Sequence, residues 1–159
     1  NLVSKFQDDT SLYMLLEYLP GGELFSLIHT RGRKGVPFEH AQFYAACILE
    51  SLTHLHNRCI IYRDLKPENV VIDRDGYGIL IDLGFAKRTQ YKTYSVCGTP
   101  EYMSPEILLG RGHDKGVDFW AFGILIFEMI VGRSPFSCGT SSDQYSLCQC
   151  IIQGKYCFH

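Results

Sequence analysis

The sequence has little charge imbalance and no long apolar run. Its 15 lysines and arginines against 17 aspartates and glutamates leave a formal net charge of −2. A net charge so close to neutral gives no reason to expect nucleic acid or an anionic membrane as the main partner. The most apolar segment, residues 119–131, is about a dozen residues long and carries Glu128, which makes it too short and too charged for a membrane span.

Disulfide and zinc patterns are also missing. The seven cysteines are odd in number and irregular in spacing, and no signal-peptide pattern accompanies them, so we expect reduced thiols and a cytoplasmic location. Cys148, Cys150, Cys157 and His159 come close together in sequence. They lack the paired Cys-x-x-Cys arrangement of a structural zinc site, which favours ordinary packing over metal binding.

The sequence does contain enough apolar material for one domain. Its 159 residues are 46% hydrophobic, which suits a single domain with a substantial core. The chain begins at Asn1 rather than at a methionine, and no capping pattern precedes its last residue. We therefore expect it to be part of a longer protein.

The first half of the pattern predicts a strand followed by helices. Residues 12–16 form a short apolar run that predicts a buried strand, and the Pro-Gly-Gly of residues 20–22 interrupts the chain after it. A short helix is predicted over residues 23–29 and a loop over residues 31–37. Apolar residues then recur at helical spacing and predict an amphipathic helix that ends near Asn57. They are Phe43, Cys47, Ile48, Leu52 and Leu55.

The second half predicts a hairpin between loops. Two short runs rich in β-branched residues, 70–72 and 79–81, flank a polar turn that contains Gly76, and this arrangement predicts a β-hairpin. Residues 87–98 have no apolar period and are predicted to form a loop. A short helix is predicted over residues 105–109.

The last predicted helix is apolar on every side. It is expected to begin at Asp118, whose side chain would cap it. The residues that follow, 119–127, include no charged side chain, and a helix without a polar face is expected to lie inside the protein.

The residues that carry chemistry lie between the amphipathic helix and the hairpin. Asp64, Lys66 and Asn69 supply a carboxylate, an ammonium and an amide within six residues, and Asp82 follows the hairpin, which can bring it back beside Asn69. Carboxylate and amide oxygens suit Mg²⁺. Phosphoryl transfer needs positive charge held against the transferred group, which Mg²⁺ and Lys66 would supply. Asp64 would orient a hydroxyl and accept its proton. A helix-ending loop with incidental charges is the alternative, and it accounts for any one of these residues better than for all four.

Four ordered motifs resemble those of protein kinases. The string from Tyr62 to Asn69 resembles the catalytic loop, with tyrosine for the usual histidine, and Asp82-Leu83-Gly84 resembles the Mg²⁺-binding Asp-Phe-Gly motif. Ser104-Pro105-Glu106 resembles the end of the activation segment, and Asp118-x-Trp120-x-x-Gly123 resembles the start of the central helix. The resemblance implies an ATP- and Mg²⁺-dependent serine/threonine protein kinase with an α+β, protein-kinase-like fold.

Variant residues within the motifs indicate a subgroup. The tyrosine-containing string 61–64, Gly84-Phe85-Ala86-Lys87 and the Cys-Gly-Thr-Pro-Glu-Tyr of residues 97–102 are similar to the AGC group, and within it to the cyclic-nucleotide-dependent kinases. Residues 6–8 and 21–24, together with 61–64, resemble the cGMP-dependent branch most. This implies regulatory cyclic-nucleotide-binding domains outside this chain.

By the same resemblance, several residues would act at the reacting phosphate. Asp64 would be the catalytic base, and Lys66 would neutralise the γ-phosphate. Thr99 would contact both of them. Asn69 and Asp82 would hold Mg²⁺.

Other residues would receive the rest of ATP. Glu17 and Leu19 fall in the segment whose backbone meets adenine, and Glu23 matches a residue that hydrogen-bonds ribose. Val71 would form the apolar floor beneath adenine, and simple core packing explains an apolar residue there equally well. Glu68, in the catalytic loop, is assigned to the same nucleotide site.

The resemblance further implies an activation site and a substrate preference. Ser95 matches the activation-loop phosphorylation site, where Arg63 and Lys87 would receive the phosphate and order the loop. Thr93 and Tyr94 are alternative acceptors. Three glutamates match positions that bind arginines of the substrate, so we expect peptides with basic residues upstream of the acceptor. They are Glu23, Glu68 and Glu128.

The chain departs from the family pattern in several places. Leu83 replaces phenylalanine, and the segments 31–36 and 138–150 are longer than usual. No Gly-rich phosphate loop, strand lysine or partner glutamate is found before Leu12, although a kinase requires them. We therefore expect the isolated 159 residues to transfer phosphate poorly.

The family resemblance and the missing N-terminal motifs together imply a division of the chain into two lobes. Residues 1–17 would end the smaller lobe, residues 18–22 would form the hinge, and residues 23–159 would form an incomplete larger lobe. A truncated or pseudokinase scaffold is an alternative, although a scaffold has no chemical need of the four catalytic-type residues together. A small-molecule phosphotransferase is disfavoured by residues 97–106, which hold a peptide in the kinase family.

Overall fold

The computed structural model describes residues 2–30, 34–136 and 143–156. These residues form short strands and helices together with two single 3₁₀ turns, Pro67–Asn69 and Pro100–Tyr102. The strands are β1 Leu2–Gln7, β2 Leu12–Leu16, β3 Ile60–Ile61, β4 Val70–Ile72, β5 Gly78–Leu80 and β6 Lys87–Arg88. The helices are α1 Leu24–Ile28, α2 Phe38–His56, α3 Pro105–Leu108, α4 Gly116–Val131 and α5 Gln144–Gln153.

The strands form three antiparallel pairs, so the α+β prediction is confirmed. β1 pairs with β2, β3 with β6, and β4 with β5. The predicted hairpin is confirmed as β4–β5, with Val70 opposite Leu80. Its turn is fixed by Asp73, whose Oδ1 accepts hydrogen bonds of 2.9 Å from the backbone N–H groups of Asp75 and Tyr77. An aspartate that bonds to the backbone ahead of it favours such a turn.

The first hairpin corrects one prediction. Residues 12–16 do form a strand, but they are not buried: Leu12 is 64% exposed, Met14 63% and Leu16 60%. An apolar run is buried only where a second element covers it. Among the described residues, β2 pairs with β1 alone, and no helix covers either face of the pair.

The main core lies between the two long helices. Ile48 and Leu52 of α2 and Leu125 and Met129 of α4 are fully buried and belong to one cluster of apolar side chains. The helical spacing in the sequence predicts this face of α2 correctly, except at Phe43. That side chain is 43% exposed, because it lies off the buried face.

The start of α4 corrects a second prediction. The helix begins at Gly116, not at Asp118, and Asp118 lies in its first turn without capping it. The Asp118 side chain is fully buried, and its partners lie in other elements. The helix is also less covered than predicted, since Phe119 is 46% exposed and Ile130 43%. An apolar surface alone therefore overstates how much of the helix is buried.

The shorter elements agree with the sequence. Helices α1 and α3 lie within the predicted segments. Residues 87–98 are mostly loop, although β6 at their start pairs with β3. No helix among the described residues is long and apolar enough to cross a membrane.

The described cysteines are free thiols, as expected. They are Cys47, Cys59, Cys97, Cys148 and Cys150. Cys157 and His159, for which ordinary packing was predicted, lie outside the described part of the chain. Cys138 and residues 31–33 also lie outside it.

Candidate active site

A buried carboxylate fixes the start of the catalytic-type loop. Asp118 of α4 accepts hydrogen bonds from the backbone N–H of Tyr62 at 2.9 Å and of Arg63 at 2.8 Å, and its Oδ2 lies 2.7 Å from Nε2 of His56. Arg63 has a φ of 68°, a left-handed conformation that is costly for a residue other than glycine. The two backbone bonds to Asp118 stabilise that conformation.

Asp64, Lys66 and Thr99 meet directly beyond this point. The Nζ of Lys66 lies 3.2 Å from Oδ2 of Asp64 and donates to Oγ1 of Thr99 at 3.0 Å. The Thr99 hydroxyl donates to Oδ1 of Asp64 at 3.2 Å. Although Lys66 and Thr99 are separated by 33 positions in the sequence, the fold brings them onto one carboxylate.

Asn69 completes the loop and lies beside the end of the hairpin. Its Nδ2 donates to the backbone oxygen and to Oδ2 of Asp64, both at 2.8 Å, which leaves its amide oxygen as an acceptor. The backbone N–H of Ile81 donates to the backbone oxygen of Asn69 at 3.0 Å. Asp82, the next residue, is thereby brought to the Asn69 end of the loop.

Asp82 occupies a strained backbone position with an exposed side chain. Its φ is 58°, and its Oδ1 accepts a hydrogen bond of 2.8 Å from the N–H of Gly84. Non-glycine residues in this conformation concentrate at functional sites. The strain supports a functional reason for an aspartate here.

The donor set fits Mg²⁺. Asn69 and Asp82 offer one amide oxygen and one carboxylate, and Mg²⁺ in phosphate-binding sites commonly takes one or two protein ligands together with phosphate oxygens and water. Within the described residues, no group of three or more His, Cys, Asp and Glu side chains could hold a metal ion by itself.

The electrostatic surroundings of Tyr62 support this grouping. Burial raises the pKa of the Tyr62 hydroxyl, and the negative charges of Asp64 and Asp82 raise it further. The hydroxyl donates to the backbone oxygen of Ile81 at 2.5 Å. Tyr62 therefore stays protonated and ties the loop to the hairpin.

The segment before α1 lies along the edge of β4. Gly21 donates to the backbone oxygen of Ile72 at 2.9 Å, and Ile72 donates to the oxygen of Gly22 at the same distance. Glu23 forms a β-bridge with Val71. At Gly21 a Cβ would lie 2.6 Å from the Ile72 oxygen, so this close approach requires glycine.

The remaining residues predicted to receive nucleotide precede this contact. Glu17 is exposed and Leu19 is half-buried. Glu23 and Val71 are thus brought together, whereas Glu17 and Leu19 lie on the chain that leads to them.

The predicted activation residues form a second cluster. The NH1 of Arg63 donates to Oγ of Ser95 at 3.3 Å. Lys87 donates to Oγ1 of Thr93 at 2.7 Å rather than to Ser95, and the Thr93 and Ser95 hydroxyls are 3.3 Å apart. Burial lowers the pKa of nearby His113, the positive charges of Arg63 and Lys87 lower it further, and the negative charges of Glu106 and Asp114 oppose this change. Ser95 itself contacts the guanidinium of Arg63 and the hydroxyl of Thr93, to which Lys87 donates.

A third group of side chains is acidic. Glu128 is buried, and its carboxylate accepts a short hydrogen bond from the Tyr102 hydroxyl and lies 2.9 Å from Nε2 of His29. Burial raises the pKa of Glu101, and the charges of Glu128 and Glu68 raise it further. Glu68 and Glu128 therefore both act on Glu101, whereas Glu23 pairs with Val71 of β4.

Sequence reasoning missed the partners that position these groups. His29 and Glu128 are 99 positions apart, and His56 and Asp118 are 62 apart. Such contacts have no local periodicity or motif. Glu101 could have been found from the sequence, because it lies within the Cys-Gly-Thr-Pro-Glu-Tyr motif of residues 97–102.

Comparison with known proteins gives consistent matches. The cAMP-dependent protein kinase catalytic subunit of Dictyostelium discoideum is 48% identical over 160 residues, which cover 99% of this chain and 24% of that protein. The cAMP-dependent protein kinase catalytic subunit PRKX of Homo sapiens is 47% identical, with 96% and 41% covered. The cGMP-dependent protein kinase 2 of Rattus norvegicus is 46% identical, with 96% and 20% covered.

This chain thus spans between about a fifth and two fifths of the length of these three relatives. The family model described as the protein kinase domain matches residues 1–156. Since that match covers nearly the whole sequence, the chain belongs to the protein kinase domain family.

Proposed function

We propose that the protein containing this chain is a serine/threonine kinase that transfers the γ-phosphate of ATP to a peptide hydroxyl. The observation that carries the proposal is the contact set around Asp64, in which Lys66 and Thr99 lie within 3.2 Å of its carboxylate. Asn69 bonds to the same carboxylate. A connected carboxylate, ammonium, hydroxyl and amide suits phosphoryl transfer and serves no purpose in a binding scaffold.

The reaction assigns one task to each residue. Asp64 orients the acceptor hydroxyl and takes its proton as the new O–P bond forms. The bond between the γ-phosphorus and the bridging oxygen of ATP breaks in the same transfer, and ADP leaves with that oxygen. Lys66 places positive charge against the transferred phosphoryl group, and Thr99 positions both side chains through its two hydrogen bonds. Asn69 and Asp82 hold Mg²⁺, which when bound neutralises charge on the phosphates.

The nucleotide would lie across the segment that joins β2 to α1. In this proposal Glu17 and Leu19 present backbone groups to adenine, Glu23 bonds to ribose, and Val71 packs beneath the base. Glu68 borders the site from the catalytic loop. The pairing of Glu23 with Val71 supports this placement.

The same proposal divides the chain at that segment. Residues 1–17 would belong to the smaller lobe, residues 18–22 to the hinge, and residues 23–159 to the larger lobe. The exposed apolar side chains of β1 and β2 are consistent with strands that a further part of the protein covers.

Substrates are proposed to carry basic residues upstream of the acceptor. Glu23, Glu68 and Glu128 are the residues assigned to bind them. The charges of Glu128 and Glu68 both raise the pKa of Glu101, which supports a concentration of negative charge there. Opposite charge across such a surface supplies specificity.

Regulation is proposed to involve phosphorylation and a cyclic nucleotide. Phosphorylation of Ser95 would add charge beside Arg63, with Lys87 nearby on Thr93. Relatives named as cAMP-dependent and as cGMP-dependent kinases both match this chain. Their names support cyclic-nucleotide control, and the strings at residues 6–8, 21–24 and 61–64 favour the cGMP-dependent branch.

The function can be tested through Asp82. The whole protein carrying Asp82→Asn is expected to lose at least about a hundredfold in kcat/KM, because a metal ligand is weakened at the reacting phosphate. Asp75→Asn, an exposed carboxylate in the β4–β5 turn, is the matched control. Transfer of labelled γ-phosphate to a peptide is measured with and without Mg²⁺. Equal rates for the two variants, or a rate that does not require Mg²⁺, would contradict the proposal.

A further inference from the structure

The carboxylate of Glu128 is occupied from two sides within the protein. Its Oε2 accepts a hydrogen bond from the Tyr102 hydroxyl, and its Oε1 lies 2.9 Å from Nε2 of His29. The Glu128 side chain is only 7% exposed, whereas that of His29 is 32% exposed. His29 is therefore the more exposed side chain of this pair and contacts the buried carboxylate directly.

We propose that His29 is a specificity-determining residue that sets how strongly Glu128 attracts a basic side chain of the peptide. The inference rests on the proposed function, in which Glu128 binds substrate arginines. It concerns a residue that acts through Glu128, so His29 is a positioning residue and takes no part in the chemistry.

The two partners of Glu128 differ in the charge they can bring. Burial raises the pKa of the Tyr102 hydroxyl, and the Glu128 charge raises it further. Tyr102 therefore stays protonated and neutral, and it donates a hydrogen bond without cancelling the negative charge of Glu128. Of the two, only an imidazole can carry a positive charge.

The charge of the side chain at position 29 then decides how strongly Glu128 attracts a guanidinium of the peptide. Each carboxylate oxygen has room for two donors, so a neutral donor at Oε1 can share the oxygen with an incoming guanidinium. A cation at Oε1 instead neutralises the carboxylate and repels the guanidinium. The charge at position 29, rather than the presence of a hydrogen bond, is the controlling variable.

Packing holds the His29 ring in place for this role. His29 ends α1, where its backbone N–H donates to the oxygen of Phe25 at 3.0 Å. The Phe25 and His29 rings also lie against each other, with their centroids 4.4 Å apart. The negative charge of Glu128 also acts on Glu101.

The experiment uses the whole protein and two peptides that differ only in their upstream residues, arginine in one and glutamine in the other. The measured quantity is the ratio of kcat/KM for the arginine peptide to that for the glutamine peptide. His29→Lys places a permanent cation on Glu128, and His29→Gln keeps a neutral donor. His54→Lys adds the same charge at an exposed position on α2 and is the matched control.

His29→Lys is expected to lower the ratio by about threefold to tenfold, the size of one partly exposed charge interaction. The change should appear in KM for the arginine peptide and shrink at high salt. His29→Gln and His54→Lys should leave the ratio within about twofold of the wild-type value. In a Glu128→Gln background, His29→Lys should not change the ratio further, because the carboxylate that it neutralises is gone.

Two results would overturn the inference in different ways. If the wild-type protein does not prefer the arginine peptide, the substrate part of the proposed function fails and this inference fails with it. If the preference exists but His29→Lys changes it no more than His54→Lys does, or lowers it equally in the Glu128→Gln background, only the inference about His29 fails. Thermal unfolding of each variant identifies any that is misfolded. A correctly folded His29→Gln variant that changes the ratio by more than about twofold would also contradict the inference, because that substitution adds no charge.

Discussion

The β1–β2 and β4–β5 hairpins, both in the described part of the chain, contain short apolar strands in opposite environments. In β4, Val70 is fully buried and Ile72 is 6% exposed, whereas in β2 Leu12 is 64% exposed and Met14 63%. Both strands are short apolar runs followed by turns or glycines. Apolar composition therefore predicts that a strand forms, and does not predict whether it is covered.

The difference comes from what surrounds each hairpin. β5 packs on α2 so closely that a Cβ on Gly78 would lie 3.4 Å from the Tyr44 ring, and residues 21–23 pair along the edge of β4. The β4–β5 hairpin is thereby fixed between a helix and a strand-like segment, and it presents Asp82 at a defined place. No described element does this for β1 and β2.

The largest effect is expected from removing the carboxylate that anchors the fixed region. Asp118→Asn should lower the free energy of unfolding by about 3 to 5 kcal/mol, because it breaks a buried interaction with His56 and weakens two backbone bonds to the loop. Urea unfolding of the purified protein measures the change. Asp9→Asn, in the exposed turn of the first hairpin, is the control and should change stability little. A loss below about 1 kcal/mol for Asp118→Asn would contradict the anchoring role.

The comparison can be tested directly by replacing one large side chain with alanine in α2, which packs on the β4–β5 hairpin, and one in β2. Both variants are made in the 159-residue chain. Leu52→Ala, in the fully buried face of α2, should cost about 2 to 5 kcal/mol because it leaves a cavity. Met14→Ala, at 63% exposure, should cost less than about 0.5 kcal/mol. Equal losses would show that β2 is covered in solution and would remove the distinction drawn here.

The smallest effect is expected from Ser95, in the loop formed by most of residues 87–98. Ser95→Ala in the whole protein should lower kcat/KM by about tenfold, equivalent to about 1.4 kcal/mol, since a phosphate at Ser95 would gain a charge-assisted bond to Arg63. Tyr94→Phe is the control, because Tyr94 is the exposed alternative acceptor. Phosphatase treatment should lower the wild-type rate to the Ser95→Ala value. An unchanged rate for Ser95→Ala, with a loss for Tyr94→Phe, would move the activation site to Tyr94.

Much of the fold and site could be predicted because the signals are local. Helical spacing located α2 and its buried Ile48 and Leu52, and β-branched runs around a polar turn located the β4–β5 hairpin. The expectation that this hairpin returns Asp82 towards Asn69 required only the length of its two strands.

The remainder depends on contacts between distant segments. Asp118 resembles a helix cap in sequence, and it bonds instead to Tyr62 and Arg63 because the folded loop presents unpaired N–H groups to it. The pairing of His29 with Glu128 likewise exists only once α1 and α4 are packed together. Periodicity and capping rules describe single elements and contain no information on which elements meet.

The central claim is that the side chains gathered on Asp64 carry out phosphoryl transfer. The most direct measurement is the rate of γ-phosphate transfer to a peptide by the whole protein with Asp64→Asn, at saturating ATP and Mg²⁺. The account predicts a fall in kcat of at least about a hundredfold, the usual worth of a general base, with the midpoint of thermal unfolding little changed. A rate within about twofold of the wild type would contradict it.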